Sequence, residues 1–194
     1  MGKKYTIQVS KQEDIEAVYN INTSVYKGSD VIDLTTLLEW HQKNPAAIHV
    51  IVDSFGKIVG NFNILPIKNE FMHLLLTGEI IEKEIKGAYL FSPAESNKVE
   101  YLYMESIVNT GGISAIIEFL RQMPTMFSRL CLNLNSIKKI YCLAASPEGK
   151  SFIDHLGFTE FPYMGEPRRD GHDKDLHQID MNTILQKASK ILKK

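Results

Sequence analysis

Cysteine is scarce: Cys131 and Cys142 are the two present in 194 residues, and they form no C-x-x-C pair. That excludes a disulfide-stapled scaffold and a cysteine-rich zinc module. Both lie in apolar stretches and are expected to be buried, reduced thiols, which favours a cytoplasmic setting. Charge of one sign is also missing. Lys plus Arg is 22 and Asp plus Glu is 23, for a formal net charge of −1. No global positive field exists to hold nucleic acid or an anionic membrane, so neither is expected as a partner. No apolar run approaches the ~18 residues of a membrane span. The start, Met1-Gly2-Lys3-Lys4-Tyr5, carries no apolar stretch, and no signal peptide is expected. There is no G-x-S-x-G, Walker loop, H-E-x-x-H, internal repeat or low-complexity segment.

What is present is ordinary globular composition, 44% hydrophobic and 23% charged, which excludes intrinsic disorder. The length fits one domain, 1–194, at about 150 residues per domain. Tyr5 to Val9 alternates as a strand. Ser10 to Glu13 fits an S-x-x-E capping box ahead of a helix carrying Ile15, Val18, Asn22 and Val25. Asp33 is placed to cap a second helix, which Asn44-Pro45 ends. His49–Val52 and Lys57–Ile64 flank the turn Asp53-Ser54-Phe55-Gly56 as a hairpin. Residues 67–98 are longer than a hairpin connection and read as an insertion. It holds short helical pieces at Phe71–Leu76 and Gly78–Ile85 and a loop at Ser92–Asn97. Val99–Val108 is a long strand, on which strict alternation puts Tyr101, Tyr103, Glu105 and Ile107 on one face.

Gly111-Gly112 precedes a helix that Pro124 is expected to end. A second helical stripe runs over Met126, Phe127, Leu130 and Leu134. Ile137–Ala145 is a buried strand, and Ser146-Pro147 opens a helix stopped by Gly157. Phe158–Met164 and Leu176–Met181 are strands, and 183–194 is an amphipathic lysine-bearing helix. Its apolar stripe is expected to dock on the domain or on a second subunit, giving a homodimer. The order β-α-α-β-β-(insertion)-β-α-α-β-α-β-β-α describes an α/β fold, three layers with a mixed central sheet flanked by helices.

Several residues carry candidate chemistry. Glu105 lies within an apolar strand, where burial would raise its pKa toward that of a base working near neutral pH; a hydrogen-bonded structural role is the alternative. Glu100 is the second candidate base. Tyr101 and Tyr103 fit either an acceptor pocket or sheet packing. Gly111-Gly112 fits a phosphate cradle or a plain turn needing positive φ. Ser146 fits a ligand contact or an N-cap. His172-Asp173-Lys174-Asp175-Leu176-His177 has metal-ligand residue types without a ligand spacing, reads as a solvated loop, and no metal is expected.

From about Tyr5 to Leu185 the sequence resembles the GNAT superfamily of N-acetyltransferases. The resemblance is carried by Gly56-Lys57-Ile58-Val59-Gly60, by Tyr103 to Asn109, by Gly111-Gly112-Ile113, and by Ser151 to Phe158, which ends His155-Leu156-Gly157-Phe158. Gln178-Ile179-Asp180-Met181 suits the last strand. It implies a splayed central sheet and acetyl-coenzyme A as co-substrate in a V-shaped opening between the family's fourth and fifth strands. It also implies transfer of the acetyl group to an amine of a small molecule or peptide by direct attack. The implied cofactor residues are Ile107 and Val108 on the strand, Gly111, Gly112, Ile113 and Ser114 at the helix start, and Ser146 and Phe152. Glu105 is the implied base. The insertion and the helix bearing Trp40 are expected to cover the acceptor side with Tyr101 and Tyr103. Two departures stand out. The glycine loop is degenerate, about three residues short and without its Gln or Arg. Ile153 stands where many members have tyrosine. Both suit the alternative of a non-catalytic module that binds an acyl-coenzyme A or another ligand.

Overall fold

The computed structural model describes residues 4–26, 31–144, 146–163 and 167–193. Seven strands form one sheet in the order β1-β2-β3-β4-β5-β7-β6. They are β1 (Tyr5–Val9), β2 (Ile48–Asp53), β3 (Ile58–Leu65), β4 (Tyr101–Asn109), β5 (Lys139–Leu143), β6 (Thr159–Glu160) and β7 (Leu176–Ile179). Every pairing is antiparallel except β4 with β5. The helices are α1 (Ile15–Val25), α2 (Leu34–Lys43), α3 (Asn69–Leu76), α4 (Ile113–Leu130), α5 (Pro147–Leu156) and α6 (Met181–Ile191). A core of β-sheet and α4, α5 and α6 side chains fills one face, and α1, α2 and α3 fill the other. The three-layer α/β architecture expected from the sequence is the one observed.

Local chemistry accounts for most boundaries. Asp33 caps α2 by accepting from the Thr36 N–H at 2.8 Å. Asp53 Oδ1 accepts from the N–H groups of Phe55 and Lys57 and closes the β2–β3 turn. Gly157 ends α5 with φ 90°. Phe62 of β3 stacks on Phe119 of α4 at 3.9 Å and seats that helix on the sheet.

Three expectations are corrected. Pro124 does not end a helix: α4 runs through it to Leu130. Phe119, Leu120, Met123, Met126, Phe127 and Leu130 stay in one buried stripe across the proline. Their burial, about 1.5–3 kcal/mol for each large side chain, outweighs the ~3 kcal/mol of an interior proline. Ser10 and Glu13 do not form the capping box. The Lys11 N–H donates to Asp14 Oδ2 at 2.8 Å instead, because the chain first makes a 3-10 turn over Gln12–Asp14. The stretch 92–97 is not a plain loop but part of a 3-10 turn, Pro93–Lys98, held by Ser92 and Glu95.

The segment between β3 and β4 packs on α2. Phe71 stacks on Tyr89 at 3.9 Å. Trp40 is fully buried and donates its indole N–H to Ile85 O at 2.8 Å. Gly87 lies so close to α2 that a Cβ there would sit 2.7 Å from Glu39 O. The segment is thereby fixed over the α1/α2 face of the sheet.

Candidate active site

The site begins with an irregularity in β4. Opposite β3, Asn63 pairs with Ser106 and Ile64 with Met104, so Glu105 is an extra residue with no partner of its own. Such a bulge reverses the facing of everything beyond it. Leu102 and Met104 belong to the α4 side of the core and Tyr103 to the α1/α2 side. Past the bulge, Ile107 packs on the α4 side, while Ser106 takes a hydrogen bond from Asn61 on the other. Strict alternation placed Tyr103 and Ile107 on one face. The bulge corrects that.

The bulge also coincides with a parting of strands. The β4–β5 ladder ends at Met104 and Cys142. Beyond it β5 stays with β7, through Leu143 and Leu176, while β4 stays with β3 as far as Asn109. The β5-facing edge of residues 105–109 is left without a strand. A cavity of about 820 Å³ fills the gap. Its walls include Ile107, Ser146, Phe152 and Ile153 toward α5, Val108 on the strand edge, and Val25, Tyr26, Ile32, Glu82 and Asp170 toward the opposite mouth.

At the end of β4 the Asn109 side chain clasps the glycine turn. Its Oδ1 accepts from the Gly111 N–H at 2.8 Å, and its Nδ2 donates to Gly112 O at 2.9 Å. Tyr5 donates its hydroxyl to Gly111 O at 2.7 Å. A Cβ on Gly111 would press on the Tyr5 ring at 3.0 Å. Gly112 caps α4 with φ 78°, a conformation suited to glycine, and a Cβ there would meet nothing within 4 Å. The N–H groups of Gly112, Ile113 and Ser114 make no hydrogen bond among the described residues. All three residues are exposed at the positive end of an 18-residue helix. The turn therefore satisfies a conformational need and also leaves donors open to an anion.

Two carboxyl groups face the cavity. Glu105 Oε2 accepts from Asn63 Nδ2 at 2.8 Å. Glu82 Oε1 accepts from the Tyr103 hydroxyl at 2.6 Å. Both are half-buried by surface and line the cavity. Desolvation pushes both well above the ordinary carboxylate range, and the Glu105 charge raises Glu82 further. Among the described residues neither is ion-paired. The loop before β7 ties the opposite mouth together. Arg168, buried, grips Asp170 through two bonds and donates to Leu75 O at 2.7 Å. Arg169 pairs with Glu84 and donates to Glu79 O at 2.9 Å.

Of the residues singled out in the sequence, Glu105, Ile107, Val108, Ser146 and Phe152 line this cavity. Ser146 is also the N-cap of α5, accepting from the Gly149 N–H at 3.0 Å. Gly111, Gly112, Ile113 and Ser114 lie just beyond Asn109, which lines the cavity, at its strand end. Three expected contacts are not brought there. Trp40 seats the insertion. Tyr101 packs against Tyr141 and Lys138. Tyr103 reaches the cavity only through Glu82. Glu100, the second candidate base, is paired with Lys138 and held below the ordinary carboxylate range by that hydrogen bond. Sequence reasoning missed Glu82, Asn63 and Asp170. No local signal marks Glu82 among the neighbouring acids Glu79 and Glu84; only the docking of the insertion brings it to β4.

No family model matches the chain, and no curated protein sequence matches it. Solved structures do. The loading GNATL domain of CurA from Lyngbya majuscula superimposes with a TM-score of 0.63 at 14% identity, over 92% of this chain and 98% of that one. The GphF GNAT-like decarboxylase in complex with isobutyryl-CoA gives 0.61 at 14% identity, over 91% and 99%. The spermidine/spermine N-acetyltransferase SpeG from Vibrio cholerae, in mutant forms, gives 0.51 at 13% identity, over 95% and 98%. At these identities the likeness shows that the chain has the GNAT fold.

Proposed function

We propose that the chain is an acetyl-coenzyme A-dependent N-acetyltransferase acting on an amine of a small molecule or peptide. One observation carries this reading. β4 leaves β5 at Glu105, and the strand edge so freed borders a cavity with a carboxyl pair at one end and an open helix N-terminus at the other. The donor set suits the cofactor. The free edge of 105–109 offers strand-like hydrogen bonds to an extended amide-bearing arm, with Ile107, Val108, Ser146 and Phe152 around it. The N–H groups of Gly112, Ile113 and Ser114 suit a pyrophosphate.

When bound, the acyl thioester supplies an electrophilic carbonyl carbon. Glu105 takes a proton from the acceptor nitrogen, which its raised pKa permits near neutral pH. The nitrogen forms the bond to carbon, the carbon–sulfur bond breaks, and the thiolate takes a proton. In sum an ammonium and a thioester give an amide, a thiol and one proton. Ile153 at the α5 wall has no proton to give, so water or the carboxyl pair supplies the thiolate.

A second reading, acyl-coenzyme A binding without amine transfer, is favoured by that same Ile153 and by the Asn109 clasp on the glycine turn. Calorimetric titration with acetyl-coenzyme A tests the premise common to both. Wild type is expected to bind in the micromolar range and Gly112→Glu at least about tenfold more weakly. No binding to wild type overturns both readings. Binding without acetyl transfer to any of a panel of amines leaves the second.

A further inference from the structure

The two carboxyl groups at the acceptor mouth come from different parts of the chain. Glu105 sits on the bulge of β4, and Glu82 on a 3-10 turn of the insertion, Glu82–Glu84. Their hydrogen bonds have a common direction. Asn61 Nδ2 donates to Asn63 Oδ1 at 3.2 Å, and Asn63 Nδ2 donates to Glu105 Oε2. Tyr103 donates to Glu82. Asn63 and Tyr103 each end on a carboxylate oxygen, and Asn61 Nδ2, behind the cavity wall, is shared between Asn63 Oδ1 and Ser106 Oγ. This end of the cavity is rich in acceptors and poor in donors. Its guanidinium groups are already engaged, Arg168 by Asp170 and Arg169 by Glu84. Lys83 is exposed at the rim, where water and salt screen it. A divalent cation is not the match, since no third acidic, histidine or cysteine ligand joins the pair among the described residues.

We propose that Glu82 and Glu105 together form an ammonium-recognition site, and that the acceptor is an aliphatic amine that arrives protonated, without a carboxylate beside the nitrogen. The proposal rests on the reading of the cavity as an acceptor site and adds Glu82 as a specificity-determining residue. An ammonium group brings three donors and no acceptor, the complement of what the cavity offers. Its charge favours the ionised form of two carboxyl groups that burial otherwise pushes toward protonation. A neutral arylamine or an alcohol brings neither. The groups facing Glu82 are Tyr103, Glu105 and Cys142 from the sheet, and Arg168 and Asp170 from the loop before β7. Glu105 faces Asn63, Ser106 and Glu82. Among the described residues Arg168 is thus the one cation in that set, and Asp170 already holds it.

The test compares n-butylammonium with n-butanol, titrated into the whole protein near neutral pH and followed by NMR. Wild type is expected to bind the ammonium at least about tenfold more tightly, and Glu82→Gln to reduce that preference below about threefold. Tyr103→Phe, which keeps the carboxyl group and removes its donor, is expected to retain the preference. Acetyl-coenzyme A affinity is expected to stay unchanged in Glu82→Gln. An equal affinity for both probes in wild type, or an undiminished preference in Glu82→Gln, overturns the proposal. If acetyl-coenzyme A fails to bind while the preference holds, the transferase reading falls and the ammonium site stands.

Discussion

The two halves of β4 have opposite surroundings. Tyr101–Met104 has a strand on each side and buries Leu102 completely. Residues 105–109 have a strand on one side and a cavity on the other. The first half is wholly apolar or aromatic, whereas the second mixes Glu105, Ser106 and Asn109 with Ile107 and Val108. The separation comes from one extra residue at Glu105 and from β5 turning away with β7. A strand that holds the core in its first half thus becomes an open edge beside a cavity in its second.

The largest expected effect lies at the junction. Glu105→Gln keeps the size of the side chain and its contact with Asn63 but removes the base. It is expected to lower kcat/KM for amine acetylation by about 10²–10⁴, with acetyl-coenzyme A affinity within about threefold. A variant of near wild-type activity would break the assignment of chemistry to the bulge.

The next comparison is of stability. Leu102→Ala empties a fully buried position in the closed half and is expected to cost about 2–5 kcal/mol. Ile107→Ala borders a cavity that already exists, so it seals in less new void and is expected to cost less than about 2 kcal/mol. Urea unfolding of the two variants reads the difference. Equal costs would mean that the open half carries as much of the core as the closed one.

The smallest effect is one of pH. Burial raises Glu82 and Glu105 above the ordinary carboxylate range. From that range up to the raised values, the folded protein holds more protons than the unfolded chain. Stability is then greatest below this window and falls as pH rises through it. Glu82→Gln removes part of the fall. Its Tm relative to wild type is expected to climb by a few degrees between about pH 5 and pH 8. A constant difference would show that the carboxyl groups are solvated.

Much of the fold was legible because its signals are local. The Asp33 cap, the Asp53 turn and the Gly157 stop each act within four residues. The resemblance at Gly111-Gly112-Ile113 and Leu156-Gly157-Phe158 is likewise carried by short local motifs. What was illegible depended on contacts distant in sequence. Pro124 reads as a helix end on its own, and the buried stripe on both sides of it, packed against the sheet, carries α4 through. Trp40 reads as a pocket residue on its own, and the Ile85 carbonyl, 45 positions away, accepts its indole N–H in the core.

By itself the sequence determined the order of the seven strands and Glu105 as a carboxyl group inside an apolar strand. Periodicity, caps and turns are properties of neighbouring residues, and they survive without a partner. Only the tertiary structure decided that Glu105 bulges, that β4 and β5 part beside it, and that Glu82 joins it from 23 positions earlier in the chain. Strand register depends on the facing strand. A raised pKa depends on what excludes water around the group. Neither is a property of any segment read alone.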